Sequence, residues 1–153
     1  MWSKYQIYRD ESPRNRSLIR EALLLLMRFR AATLLLKFKY LTRSLIHSAQ
    51  SEEPPHLNDQ SLTKAKEIGD VVARVGRHTP WKSPCLAQVL AVQHMLAARG
   101  IPGVFYLGVK KDKNHQSNTS ELDAHAWLKC GTRIVNGAEG HEAFTVVSSW
   151  SWR

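Results

Sequence analysis

The most apolar part of the chain is Leu18–Ile46, where Leu23–Leu26 and Leu34–Leu36 form runs of leucine. Arg20, Arg28, Arg30, Lys37, Lys39 and Arg43 break it, so only Ala22–Met27 and Ala31–Leu36 are free of charge. A membrane-spanning helix needs roughly 20 nearly uncharged residues. The pattern predicts a helical arm that does not span. On a helical wheel its cations fall on two sides, leaving an apolar surface broader than one stripe. One reading is a helix that covers the core or is covered by a partner, with solvated Lys and Arg. The other is docking onto an anionic surface, either a membrane interface or an acidic protein.

Ser51-Glu52-Glu53-Pro54-Pro55 reads as a linker or sharp turn, because neither the prolines nor the residue before them continue a helix. Leu62–Val75 has helical spacing, with Gly76 as the expected C-cap. Thr79–Pro84 is an extended approach to a second helix, Cys85–Arg99, which Gly100 stops. Val104–Val109 and Asp123–Cys130 read as strands, and polar Lys110–Glu121 as the loop between them. Gly131-Thr132 suits a two-residue hairpin loop, Arg133–Asn136 returns antiparallel, and Phe144–Trp150 makes a fourth strand. Helices followed by an antiparallel meander predict an α+β class, divided into a basic helical arm over 1–50 and a domain over 51–153.

At 153 residues and 43% hydrophobic content the chain is one domain's worth with a real core. The net charge of +9 is uneven: residues 1–50 hold ten cations and three anions, 51–110 seven and five, 111–153 five of each. The charge therefore belongs to the arm. No aromatic–basic interleaving or zinc spacing adds a nucleic-acid signal to it. Trp2–Ser17 is long and polar with no small-residue cleavage site after it, so the chain reads as cytoplasmic, with membrane-surface contact through residues 14–46 as an option.

Cys85 is the first candidate for chemistry. Ser83 as N-cap and Pro84 as the first helical residue would put it in the first turn, where unpaired N–H groups and the helix dipole favour thiolate. The same N–H groups could hold an oxyanion. The alternative is a small buried hydrophobe. His94 lies about 180° around that helix and cannot be the base. His125 can: strand alternation puts it on one face with Trp127 and Lys129, and Ala126, Leu128 and Cys130 on the other. Its alternative is a structural histidine bonded to the backbone.

With a regular hairpin, Cys130 opposes Arg133, Trp127 opposes Asn136 and His125 opposes Ala138. Asn136 would then share a face with His125 as a diagonal neighbour able to fix the imidazole tautomer. Asp123, two residues before His125, is the competing orienter, and a one-residue bulge would invert the choice. Gly137 offers no side chain. No C-x-x-C or H-x-x-x-H pair exists, so neither a metal nor another cofactor is expected. A Cys85–Cys130 disulfide is conceivable, but a cytoplasmic setting argues against it.

The string Thr79-Pro80-Trp81-Lys82-Ser83-Pro84-Cys85-Leu86-Ala87-Gln88, with Arg99-Gly100-Ile101, Tyr106-Leu107-Gly108-Val109 and Ala124-His125-Ala126-Trp127-Leu128, resembles the lasso-peptide leader peptidases. The likeness covers about residues 60–150, and the Leu18–Ile46 segment is similar to that family's N-terminal extension. It implies a papain/transglutaminase-like fold with Cys85 as nucleophile and His125 as general base and acid. It implies as substrate a ribosomal precursor peptide whose leader is removed, and as partner an ATP-dependent lasso cyclase. The leader-recognition module is fused in some members and separate in others, and the helix-rich reading of residues 1–50, with no strand pattern, points to a separate leader-recognition protein. The family often has an aspartate where this chain has Asn136-Gly137. Trp81 is expected to wall or donate to the oxyanion hole, with Trp127 as a substrate contact. Two alternatives keep the fold: a transglutaminase-like acyltransferase, and a non-catalytic peptide-binding scaffold.

Overall fold

A computed structural model describes residues 12–111 and 122–153. Ser12 caps the first helix, α1 (Pro13–Leu35), its side chain accepting from the Asn15 N–H, and Pro13 suits the first helical turn. Leu18, Ala22, Leu25 and Leu26 are its buried stripe. The predicted arm does not stay helical: Leu36 is extended, a short helix α2 (Phe38–Leu41) follows, and then a strand, β1 (Ile46–Ser48), that the leucine pattern did not announce.

Helix α3 (Asp59–His78) starts at Asn58, whose Oδ1 accepts from the Ser61 N–H at 2.8 Å. Asp59 in its first turn and Arg77 and His78 in its last complement the helix dipole. Gly76 is not its C-cap. The helix runs two residues further and ends at extended Thr79, with Gly76 facing Gln88 across a close approach to the next helix. That helix, α4 (Cys85–Ala97), buries Val89, Leu90, Val92, Met95 and Leu96. Gly100, at φ +66°, turns the chain after it.

The sheet has strand order β1-β5-β2-β3-β4, built from β2 (Gly103–Lys111), β3 (Leu122–Cys130), β4 (Arg133–Asn136) and β5 (Thr145–Trp152), with every pairing antiparallel. Lys110 and Lys111 extend β2, so the expected loop begins later, and the rest of it lies outside the described residues. Helices α1, α3 and α4 pack on one another, and α3 and α4 cover one face of the sheet. Phe105, Ala126, Leu128, Cys130, Val135, Trp150 and Trp152 from the sheet join the leucines of α1 in one core. The opposite face carries a smaller cluster of Val104, Tyr106 and Trp127 against Ile134, Phe144 and Val146. The predicted linker is strapped across that face: Glu52 O accepts the Tyr106 hydroxyl, and Glu53 pairs with Lys129 at 2.8 Å.

None of the described helices is long and apolar enough to cross a membrane.

Candidate active site

Cys85 is the first residue of α4 and is half-buried. Pro84, with ψ 161°, occupies the cap position in place of Ser83, and no side chain caps the helix. Ser83 is otherwise engaged. The Thr79 hydroxyl lies 3.0 Å from Gly76 O and 2.8 Å from Trp81 O, both acceptors, so its one proton goes to a carbonyl. At the 3.0 Å contact between the two hydroxyls Ser83 is therefore the donor. Gln88 Nε2 donates to Ser83 O at 3.0 Å, clamping the approach from the helix side. The first-turn N–H groups of α4 thus have no side-chain partner competing for an incoming anion.

A cavity of about 460 Å³ opens over this helix start. Cys85 and Gln88 line it from α4, Gly69 and Arg77 from α3, and Asn136 and Gly137 from the end of β4, with His125 beside them. The Lys66–Asp70 ion pair sits on the same wall.

The hairpin register differs from the regular one. Cys130 opposes Arg133 as expected, but a bulge after Leu128 makes Asn136 oppose Leu128 instead of Trp127. Val135 is the extra residue. Both it and Asn136, 3% and 6% exposed, are consequently buried on the helix side. Asn136 is thus on the Cys85 side of the sheet and does not hold His125.

His125 lies on β3 opposite Gly108, its ring stacked on Trp127 at 5.8 Å and tilted against Phe144 at 5.2 Å between centroids. Its Nε2 is 2.8 Å from Gly137 O. A carbonyl only accepts, so Nε2 carries the proton and the neutral ring keeps its lone pair on Nδ1. Gly137 has φ +75°, and a Cβ there would come 2.6 Å from Ala126 O, so the approach of this carbonyl depends on glycine. Asp123, the other expected orienter, is exposed and faces Lys110 at 3.9 Å. No hydrogen bond links the Cys85 sulfur to His125 in this conformation; the two share the cavity's rim.

Trp127 packs at 5.7 Å on Tyr106 across the sheet face that the helices leave open, away from the cavity. Trp81 is also outside the cavity lining, yet its indole Nε1 is buried with no hydrogen-bond partner. Cys130 is a core thiol, pushed up to about 12 by burial. No group of three or more His, Cys, Asp or Glu among the described residues is arranged to hold a metal. The Gly137 carbonyl and Gln88 are the site groups that sequence reasoning missed. The Asn136-Gly137 pair after a short strand, a turn signal, is what could have pointed to the first.

Compared with known families, residues 25–149 match the transglutaminase-like superfamily, from within α1 to within β5, with Cys85 and His125 both inside. The chain belongs to that superfamily. The helices-then-antiparallel-sheet architecture agrees with a transglutaminase-like α+β fold. Members of the transglutaminase-like superfamily are usually cysteine peptidases or acyltransferases, chemistries that share a thiolate nucleophile and an acyl-enzyme. No curated protein and no solved structure shows a significant match to the chain.

Proposed function

We propose that the protein is a cysteine peptidase that removes the leader from a ribosomally made lasso-peptide precursor. In this scheme a separate leader-recognition protein presents the precursor, and an ATP-dependent cyclase uses the freed amine. The observation that carries the chemistry is that Cys85, at an uncapped helix start, shares one cavity with His125 and the Gly137 carbonyl. The motif around Cys85 and the downstream Ala124-His125-Ala126-Trp127 support the narrower choice of substrate.

The Cys85 thiol gives its proton to His125 Nδ1, and the thiolate attacks the scissile carbonyl. The N–H groups of the α4 first turn hold the oxyanion. As the tetrahedral species collapses, the imidazolium protonates the departing amine and the leader remains as a thioester. Water then attacks the thioester, losing a proton to His125, and the thiol leaves. The Gly137 carbonyl takes the place of an Asn or Asp orienter, accepting from Nε2. The scheme requires the imidazole to pivot about that bond into the cavity as the peptide enters, the tightening expected between a resting site and its substrate complex.

Cys85→Ala incubated with precursor and recognition protein tests the proposal: leader removal is lost, and a leader thioester is trapped on the wild type alone. Undiminished cleavage rules out the nucleophile. Asn136→Ala and Asp123→Ala each change kcat by less than about tenfold, because neither side chain holds His125. A loss of about 10²-fold from either would return the orienting role to that side chain. The acyltransferase reading rests on the breadth of the superfamily match. An added amine that competes with water for the thioester would favour it.

A further inference from the structure

Helix α1 has a second apolar face that the other described residues leave bare. Leu18, Ala22, Leu25 and Leu26 point into the core, whereas Leu23, Leu24, Met27, Leu34 and Leu35 are 42%, 60%, 51%, 67% and 81% exposed. At about 100° per residue these five, with exposed Ala31, fall in an arc of about 120° directly opposite the buried stripe. Arg28 and Arg30 flank that arc on either side. Leu36 and Tyr40, 51% and 55% exposed, continue the apolar surface past the helix end, between exposed Lys37, Lys39 and Arg43. From Ala22 to Ser51 the sequence contains these five cations and no Asp or Glu. None of the five forms an ion pair among the described residues.

We propose that this outer face of α1, with its Lys37–Arg43 extension, docks the protein on an anionic lipid bilayer. Charge selects the occupant: thirty residues without a carboxylate call for a negative surface. Shape selects lipid over an acidic protein. The apolar side chains form a convex ridge along one helix, with cations along its flanks and no hydrogen-bonding side chain in the stripe from Leu23 to Leu35 that could fix a specific partner. A helix so built lies flat at the headgroup boundary, leucines inward and arginine stems spread sideways. None of the residues lining the Cys85 cavity comes from α1, so docking leaves that cavity open. The inference does not depend on the peptidase reading.

The test uses the full chain and vesicle co-sedimentation. Vesicles of phosphatidylcholine with about a quarter phosphatidylglycerol capture the protein, and pure phosphatidylcholine captures about tenfold less or weaker still. Binding to the anionic vesicles falls as salt is raised. A Leu24→Ser, Leu34→Ser, Leu35→Ser variant, altered only at exposed positions and checked by circular dichroism, loses about tenfold or more in partition. Arg28→Gln with Lys37→Gln and Lys39→Gln lowers anionic binding similarly. The proposal is overturned if the wild type ignores anionic vesicles. It is equally overturned if the serine variant binds them as well as the wild type, which would reduce the effect to net charge. Saturable binding of the same face to the purified cyclase or recognition protein, with no vesicle binding, would assign it to a protein partner and also overturn it.

Discussion

Replacing Gly69 by alanine should destabilise the protein, against the usual effect of that change in a helix. In an unobstructed helix interior, Gly→Ala gains about 1 kcal/mol. At Gly69, however, α3 crosses β4 so closely that a Cβ would overlap the Val135 carbonyl oxygen and lie 2.8 Å from its carbon and 3.3 Å from the Val135 Cβ. The obstacle is backbone and cannot swing aside. Helix and strand must part by about an ångström, and a gap of that size forfeits a quarter to a half of each dispersion contact across it. Ile68, Val72 and Val135 are core residues at this crossing, so a net loss of about 2–4 kcal/mol is expected. For a chain of this length that lowers Tm by about 4–16 °C. Gly76→Ala is the internal control. Its Cβ would press on the end of the Gln88 side chain, at 3.1 Å, with the Ser83 Cβ at an ordinary 3.5 Å, and the helix gain would offset the loss of the Gln88–Ser83 bond. Thermal melts followed by circular dichroism compare the two. A Gly69→Ala protein melting at or above the wild type would show that the α3–β4 contact is not as close as described, and with it the placement of Asn136 and Gly137.

Three other outcomes follow from buried and paired groups. With a thiol-alkylating reagent near pH 8, mass spectrometry should find one adduct, at Cys85, because that residue is only partly buried and lines the open cavity, whereas Cys130 is buried and protonated. Cys130 labelling in the folded protein would contradict its placement. The Tyr106 hydroxyl is pushed up to about 12 by burial, with Glu53 and Glu52 adding to it, and Cys130 also to about 12. Both ionise more readily in the unfolded chain, so the stability they contribute is complete below about pH 9 and is lost as pH rises toward 12. Urea midpoints should fall over that range, and less steeply for Tyr106→Phe. Glu21 and Arg99 join α1 to the end of α4 through two bonds of 3.0 and 2.7 Å, and the Arg99 guanidinium holds the Glu21 carboxyl below the ordinary carboxylate range. Both groups remain partly exposed, so a double-mutant cycle should give about 1 kcal/mol or less. That coupling is present above the ordinary carboxylate range and disappears as pH falls through the lowered value; a coupling unchanged in strong acid would contradict it.

Periodicity found the helices over 59–78 and 85–97 and the β-hairpin, because each buries a stripe or face of matching period. What it could not find was decided by contacts distant in sequence. Gly76 looks like a helix stop but serves a helix–helix approach. Ile46–Ser48 is only three residues long and becomes a strand through its pairing with Ser149–Ser151. The bulge at Val135 costs one residue of register, and that one residue moves Asn136 to the opposite face. Cys85 and His125 were legible as candidates because their residue types and local settings are chemically distinctive. The group bonded to His125 was not, since a backbone carbonyl has no letter of its own.

The strand order has a consequence for synthesis. Among the described strands β5 leaves the ribosome last, yet it is inserted between β1, the earliest of them, and β2. Its Trp150 stacks on Phe105 at 5.0 Å and meets Phe38, translated more than a hundred residues earlier, at 4.9 Å. Until β5 emerges, Ile46–Ser48 lacks its partner strand and the edge of β2 that β5 covers is bare. A nascent chain stalled short of Thr145 would therefore hold its helices and the β2–β3–β4 ribbon but leave the seam unsewn, an aggregation-prone interval that ends only when translation of this strand is done.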